Sequence, residues 1–217
     1  MANVVILTKG AETVALYDQV LSFVSDDGDY TVRNEGENML GQKRINVSRD
    51  SFKFKILVFN GLGDEFPETT LVQINVPSGT FGEESVVDSS AAFDSVVATT
   101  KEIYNEIEVS EKATYSLENH QPMHAPLSGD DLPPTDRAFL TWLDIFPPSE
   151  VEAIGHDHLL AAPATRVREF DDGSVLLVSK HPEDSDPDPL DEVAEHLGIR
   201  SWEDYPNERA SRSDFDE

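Results

Sequence analysis

The sequence of 217 residues predicts an α+β fold, in which helices pack on a mixed or mostly antiparallel sheet. Runs of alternating apolar and polar residues occur close together and are joined by turn signals, which is typical of antiparallel hairpins. Other segments space their apolar residues three or four apart, which is typical of amphipathic helices. These strands and helices do not alternate regularly, so a parallel βαβ sheet is disfavoured.

A strand and a helix are predicted at the N-terminus. Residues 3–8 form a short β-branched run, typical of a buried strand. A helix from Glu12 to about Asp26 is predicted because six apolar residues recur there at helical spacing. These six are Val14, Leu16, Tyr17, Val20, Leu21 and Val24. A short strand is then expected over residues 30–32, and a turn or brief helix over residues 37–42.

The clearest strand covers residues 52–59, where side chains alternate between two faces. One face holds Phe52, Phe54, Ile56 and Val58, and the other holds Lys53 and Lys55. Residues 69–76 also alternate, so the two strands are expected to be antiparallel neighbours. A long helix is predicted from about Ser89 to Glu108, capped by Ser89 or Ser90. Its expected buried side consists of Ala92, Phe93, Val96, Val97, Thr100, Ile103, Tyr104 and Ile107.

A connector rich in Pro, Gly and Asp, residues 119–136, separates an α/β part, residues 1–118, from a C-terminal part, residues 137–200. In the C-terminal part we expect another α+β arrangement, packed on the same core. Its predicted elements are a strand over residues 138–146, a short helix capped by Ser149 and ended by Gly155, a hairpin of residues 165–170 and 174–180, and a helix over residues 191–197. Residues 201–217 are expected to form an acidic, flexible tail.

The chain is strongly acidic, with 43 Asp and Glu against 16 Lys and Arg and a formal net charge of −27. Such a surface repels phosphates and anionic membranes, so neither nucleic acid nor a membrane is an expected partner. Two interpretations of the acidity remain open. It is a halophilic adaptation that keeps the protein dissolved at high salt, or it forms a face that docks on a basic partner.

Five of the basic residues are clustered within thirteen positions of the chain. They are Lys43, Arg44, Arg49, Lys53 and Lys55. Such a cluster is typical of a solvated strand face. On so acidic a chain it is also consistent with counter-charges for neighbouring carboxylates, or with a contact for an acidic ligand.

No catalytic motif is present. The chain has no Cys, which excludes disulfides, thiolate nucleophiles and Cys-based metal sites. Gly-x-Ser-x-Gly, His-Glu-x-x-His and phosphate-binding Gly-Lys-Ser/Thr patterns do not occur. We therefore expect neither enzymatic activity nor a cofactor. The sequence also lacks a membrane-spanning apolar stretch and a leader pattern, so a cytoplasmic location is expected.

Two histidine pairs leave a metal-binding alternative open. The pairs are His120 with His124 and His156 with His158. Their spacings can place two imidazoles on one metal ion, and Asp144 or Asp157 could complete the site. This alternative requires the two pairs to converge in the fold. Otherwise the first pair belongs to the connector and the second pair follows the end of a helix.

Residues 139–178 carry a recognisable order of features: a strand with a Trp, a short helix ending in Ile-Gly, a Leu-Leu-x-Ala-Pro segment and a Gly-turn hairpin. The positions that carry this order are Trp142, Phe146, Val151, Ile154, Gly155, Leu159, Leu160, Ala162, Pro163, Val167, Gly173, Leu176 and Leu177. This pattern resembles the C-terminal part of the immunity protein 52 family. The resemblance implies a non-enzymatic protein that neutralises a secreted polymorphic toxin, often a nuclease, in the cytoplasm of the producing cell.

An immunity role predicts that exposed aromatics and carboxylates contact the toxin, a basic protein partner. The candidates are Trp142, Asp144, Asp171, Asp172, Trp202, Glu203, Asp204 and Tyr205. Trp142 also suits a core position, because it lies in a predicted strand. The alternatives are a salt-adapted acidic protein with no ligand and the histidine metal site.

Overall fold

The computed structural model describes residues 2–50, 52–60, 69–76, 89–109, 112–117, 137, 139–181 and 188–201. The chain divides into two compact units, residues 1–125 and residues 126–217, which we name the first and second unit. The boundary between them lies inside residues 119–136, the predicted connector. That the two parts share one core stays a prediction. Both units combine helices with antiparallel strands, so the predicted α+β class is confirmed.

The described residues of the first unit form a six-stranded antiparallel sheet and two helices. Its elements are β1 (Ala2–Lys9), α1 (Thr13–Asp26), β2 (Tyr30–Glu37), β3 (Lys43–Arg49), β4 (Phe52–Asn60), β5 (Thr69–Val76), α2 (Ser89–Glu106) and β6 (Lys112–Leu117). The strand order across the sheet is β2-β3-β4-β5-β1-β6, and every neighbouring pair is antiparallel. β4 and β5 are therefore antiparallel neighbours, as predicted.

One face of this sheet, which we name the inner face, is buried beneath the helices. Its buried apolar residues are Val4, Ile6, Ile45, Val47, Phe52, Phe54, Ile56, Val58, Val72, Ile74 and Val76. α1 packs against β2, β3 and β4, and α2 lies beside α1. All the residues predicted for the buried side of α2 are buried. Because side chains alternate along β4, Lys53 and Lys55 lie exposed on the opposite, outer face.

A polar cluster joins α2 to the hairpin of β2 and β3. Arg49 Nη1 lies 2.6 Å from Glu102 Oε2, and the Tyr30 hydroxyl donates a hydrogen bond to the same carboxylate. The Arg49 guanidinium also lies over the Tyr30 ring, 5.1 Å from its centroid. Burial and the hydrogen bond to Glu102 raise the pKa of Tyr30. The cluster therefore holds α2 over the β2 edge of the sheet.

The second unit contains a small antiparallel sheet, a short parallel strand pair and three helices among its described residues. Its elements are β7 (Phe139–Leu140), β8 (Leu143–Phe146), α3 (Pro148–Ile154), α4 (His156–Leu160), β9 (Arg166–Glu169), β10 (Val175–Val178), α5 (Asp188–Leu197) and β11 (Arg200–Ser201). The sheet order is β8-β10-β9, and β7 pairs with β11 in parallel. The core is formed by Leu140, Phe146, Val151, Leu159, Ala162, Val175, Leu177, Leu190, Val193, Ala194 and Leu197.

Several predicted element ends are observed. The hairpin of β9 and β10 forms as predicted, with Gly173 in its turn at a φ of 83°. α3 ends at Gly155, and Gly198 follows α5 with a positive φ of 66°. Residues 37–42 contain the turn between β2 and β3, where the Asn38 side-chain oxygen accepts hydrogen bonds from backbone N–H groups. Gly residues at positive φ and an Asn that bonds to the backbone of its own turn are sequence signals, which explains why these ends could be predicted.

Other elements differ from prediction. β3, β6, α4 and β11 were not predicted, and β2 extends beyond residues 30–32 with a bulge between Val32 and Asn34. The expected strand over residues 138–146 is interrupted, because the Thr141 N–H donates to the Asp144 carboxylate instead of to a neighbouring strand. Ser149 lies inside α3, whose N-cap position is Pro147, so it is not the cap. Val14, expected to be buried, is 58% exposed.

Ile56→Ala tests the packing of the inner face. Ile56 is fully buried and lies opposite Ile45 on β3 and Ile74 on β5. We expect the substitution to lower the free energy of unfolding by about 2–5 kcal/mol, because it leaves a cavity in a close-packed layer. Lys55→Ala, on the outer face, should change it by less than about 0.5 kcal/mol. Urea denaturation followed by circular dichroism measures both, and equal effects would contradict the assignment of the faces.

Candidate functional site

A buried ion cluster in the second unit is centred on Arg137. Its Nη1 donates to Asp144 Oδ1 at 2.8 Å, and its Nε donates to Glu150 Oε2 at 2.8 Å. Its Nη2 donates to the Ile145 carbonyl at 3.0 Å. The side chains of Arg137, Asp144 and Glu150 are 2%, 0% and 5% exposed. The guanidinium lies over the Phe146 ring, 4.3 Å from its centroid, so the cluster ties β8 to the first turn of α3.

In this cluster the carboxyl groups of Asp144 and Glu150 share one guanidinium. Asp144 also accepts hydrogen bonds from the N–H and hydroxyl of Thr141, at 2.8 and 3.0 Å. Glu150 Oε1 is buried, and no hydrogen-bond partner for it exists in the described chain. Burial raises the pKa of Asp144 to about 7, although Arg137 and Thr141 favour the charged form. The three ionisable side chains are shielded from solvent. The cluster therefore has a structural role in the core of the second unit and is not a surface site.

Trp142 and Asp144, two of the expected partner contacts, lie in the core rather than at the surface. Trp142 is 2% exposed and Asp144 is fully buried. The Trp142 carbonyl accepts a hydrogen bond from the Ser179 N–H at 3.0 Å, which fixes the segment between β7 and β8 against the end of β10. The prediction that these two residues contact a partner at the surface is therefore wrong. Trp142 instead occupies a core position, which was the alternative that its place in a predicted strand suggested.

Asp171 and Asp172 lie exposed at the tip of the β9–β10 hairpin. The Asp172 carboxylate accepts hydrogen bonds from the N–H and the hydroxyl of Ser174, both at 2.9 Å. Such a side-chain to backbone bond stabilises the turn itself. The tip therefore presents two carboxylates to solvent on a turn of defined conformation.

His156 and His158 follow α3 and contact different neighbours. The ring of His156 lies between two carboxylates, with Nε2 3.1 Å from Glu169 Oε1 and Nδ1 3.3 Å from Asp157 Oδ1. The hydrogen bonds to Glu169 and Asp157 raise the pKa of His156. The His158 ring instead stacks on His196 of α5, with 4.3 Å between centroids. In the described ranges, no three His, Cys, Asp or Glu side chains are grouped as a metal site.

The remaining predicted site residues lie outside the described part of the chain. They are His120, His124, Trp202, Glu203, Asp204 and Tyr205. Convergence of the two histidine pairs, and contacts from the tail, accordingly stay predictions.

An acidic helix face in the second unit was not identified from the sequence. We name as the acidic face the exposed carboxylates of α5, which are Asp188, Asp191, Glu192 and Glu195. The opposite side of the helix is buried through Leu190, Val193, Ala194 and Leu197. The carboxylates recur at spacings of three and four residues, which places them on one side of a helix. The spacing of these carboxylates in the sequence could have predicted the acidic face. The predicted helix, however, begins at residue 191 and omits Asp188.

The basic cluster predicted over residues 43–55 is divided between the two faces of the first sheet. On the inner side, Lys43 pairs with Glu37 at 2.9 Å and Arg49 pairs with Glu102 at 2.6 Å. These two residues therefore act as counter-charges for neighbouring carboxylates. The other three members, Arg44, Lys53 and Lys55, lie on the outer face.

No helix in the described residues is both long enough and apolar enough to span a membrane. No protein-family model matches the chain, and no curated protein matches it.

Arg137→Met tests the ion cluster. We expect it to lower the free energy of unfolding by about 3–5 kcal/mol, because Asp144 and Glu150 lose the cation that compensates their burial. Arg168→Met is the matched control, since Arg168 is exposed on β9, and it should cost less than about 0.5 kcal/mol. Urea denaturation followed by Trp142 fluorescence in a W202F background measures both. Similar stabilities for the two variants would show that Arg137 does not compensate the buried charge of Asp144 and Glu150.

The pH dependence of stability tests the protonation of Asp144. Its pKa is raised by burial to about 7 in the native state, from an ordinary value of 3.8. Between these values the native state binds more protons than the unfolded state, so stability should fall as the pH rises from about 4 to about 7. Asp144→Asn should reduce this slope, whereas Asp171→Asn, at the exposed hairpin tip, should leave it unchanged. Thermal melts across this pH range measure the slope of stability against pH. An unaltered slope in Asp144→Asn would show that the pKa of Asp144 is not raised in the native state.

Proposed function

We propose that the chain is a cytoplasmic immunity-type protein, without enzymatic activity, that binds and neutralises a basic partner such as a nuclease toxin. The observation that carries this proposal is the acidic face of α5, which presents four carboxylates from one side of a single helix. The helix belongs to the same unit as residues 139–178, whose order of features resembles the immunity protein 52 family.

The packing of α5 supports a preformed binding surface. Leu190, Val193 and Leu197 anchor the helix in the core of the second unit. At its last turn, His196 stacks on His158 and its Nε2 lies 3.0 Å from the His158 carbonyl oxygen. A helix anchored in this way loses little conformational freedom when a partner binds, so more of the interaction energy contributes to affinity.

The chemistry of the acidic face suits a nucleic-acid cleft on the partner. Lys and Arg side chains that bind phosphates form charge-assisted hydrogen bonds with carboxylates as well. From Asp188 to Glu195 the helix rises by about 10 Å, at ~1.5 Å per residue, so the carboxylates can cover several cations. The formal net charge of −27 would further accelerate association with a basic protein.

Further contacts belong to the same proposal. Asp171 and Asp172 at the hairpin tip offer a second carboxylate pair in this unit. Trp202 and Tyr205, with Glu203 and Asp204, would supply aromatic anchors and rim charges, the residue types that commonly dominate interfaces.

A triple substitution separates specific binding from general acidity. We expect Asp191→Lys, Glu192→Lys and Glu195→Lys together to weaken partner retention at least tenfold, because the row of carboxylates is replaced by cations. The matched control carries Glu12→Lys, Asp18→Lys and Asp26→Lys, the same charge change at exposed positions on or beside α1. Quantitative mass spectrometry of proteins retained on each immobilised chain, at low and high salt, measures the effect.

The captured protein must then be shown to be a toxin. We expect its expression alone to stop growth, and co-expression of the natural chain or of the α1 control variant to restore growth. The α5 variant should not restore it. If all three chains retain the same proteins to the same extent, or retain none at either salt, the acidity is better explained by salt adaptation and the immunity proposal fails.

A further inference from the structure

We propose that the outer face of the six-stranded sheet carries a binding site for a small phosphate-bearing anion. The site is a cavity of about 300 Å³ that is lined by Val47, Phe54 and Val76 and by five polar residues, which are Arg33, Asn46, Lys53, Lys55 and Asn75. These residues belong to the first unit and differ from every residue in the immunity proposal, so the two proposals stand or fall separately.

The antiparallel register brings these side chains together from four neighbouring strands. Lys55 of β4 lies opposite Asn46 of β3 on one side and Asn75 of β5 on the other. Lys53 lies opposite Ser48 of β3. At the bulge in β2, the Arg33 Nε donates to the Ser48 hydroxyl at 3.3 Å. Because directly opposed residues share a face of a sheet, these side chains border one another on the outer face.

The outer face of β2 to β5 carries cations but no carboxylates. Its residues are Thr31, Arg33, Asn34, Gly36, Arg44, Asn46, Ser48, Lys53, Lys55, Leu57, Phe59, Thr69, Leu71, Gln73 and Asn75. In a chain with 43 acidic and 16 basic residues, a random surface of this size would be mainly acidic. The charge of this face is therefore opposite to that of the protein as a whole.

The two lysines of this face differ from the paired cations of the inner side. Lys43 and Arg49, on the inner side, are paired with Glu37 and Glu102. By contrast, Lys53 and Lys55 form no ion pair with any part of the chain that the structure describes.

Arg33, the arginine that lines the cavity, is similarly open to an external anion. Within the described residues, the Arg33 guanidinium donates one hydrogen bond, from its Nε to the Ser48 hydroxyl, so both Nη groups are available there. Placing like charges side by side is unfavourable, and a bound anion would relieve that repulsion.

The donor set favours phosphate chemistry. A guanidinium with both Nη groups available binds two oxygens of one phosphate, and ammonium groups add point charges. The Asn75 side-chain oxygen already accepts a hydrogen bond from the Gln73 amide at 2.6 Å, so its NH₂ group is left to donate. The cavity is lined by three cations, Arg33, Lys53 and Lys55. Their combined charge of +3 is more than a single carboxylate neutralises, so it suits an anion with two or more negative charges.

The size of the cavity favours a small molecule over a polymer. A volume of about 300 Å³ is at the lower end of the range for ligand pockets. An extended polyanion such as nucleic acid would be repelled by the remaining acidic surface, whereas a small anion within the cavity lies close to the cations.

Isothermal titration calorimetry of the full chain with inorganic pyrophosphate tests the proposal. We expect saturable binding of one pyrophosphate per chain, weakened at least tenfold by the double variant Lys53→Gln, Lys55→Gln and also by Arg33→Gln. The matched control is Arg166→Gln, Arg168→Gln, which removes two exposed cations at the same spacing on β9 and should bind as the natural chain does. Circular dichroism of each variant verifies that the fold is retained.

Competing ligands define the chemistry. Inorganic phosphate and glycerol phosphate distinguish a free phosphate from the phosphate group of an organic molecule, and binding of either supports the site. Absence of saturable binding at about 10 mM pyrophosphate, well above the ~1 mM dissociation constant of a weak site, would overturn the proposal. Citrate binding as tightly as pyrophosphate, or equal loss of binding in the β9 control, would overturn it as well.

Discussion

Alternation of side chains along the central strands is the constraint on which the first unit depends. Because successive residues point to opposite faces, a shift of pairing by one residue would bring charged groups beneath the helices. In β4 such a shift would exchange Phe54 and Ile56 for Lys53 and Lys55. Burial of the inner face therefore determines the register, and the register determines which cations collect on the outer face. In this sheet, the packing of the inner face therefore also fixes the positions of Lys53 and Lys55 on the outer face.

In the second unit, burial decides what each carboxylate does. Asp144 is enclosed with Arg137, and its hydrogen bonds fix the chain between β7 and β8. Asp191 lies on the open side of α5, where water solvates it and a partner can reach it. A buried ion pair contributes little net stability but penalises arrangements that separate its members. The enclosed charges therefore specify one packing of β8 and α3, while the exposed ones are available for binding.

Strong periodicity made β4, β5 and α2 predictable, because each buries a regular apolar side. β3 was missed because only Ile45 and Val47 are apolar within it, so its strand depends on pairing with β2 and β4. β6 places the polar Thr114 and Ser116 among its buried positions, which hides the usual alternation. The break at Thr141 depends on a contact with a carboxylate that spacing alone does not reveal. The candidate surfaces were the least predictable, because register and burial decide which charges share a face.

The bulged strand β2 forms one edge of the six-stranded sheet, and an open edge can recruit a strand from another molecule and so begin aggregation. Most of β2 is exposed, yet its exposed side chains are polar or charged, and the bulge at Val32 and Asn34 interrupts the regular ladder of backbone groups. Both features oppose the addition of a further strand. The edge of the sheet is thus built so that the folded chain stays separate from other copies of itself.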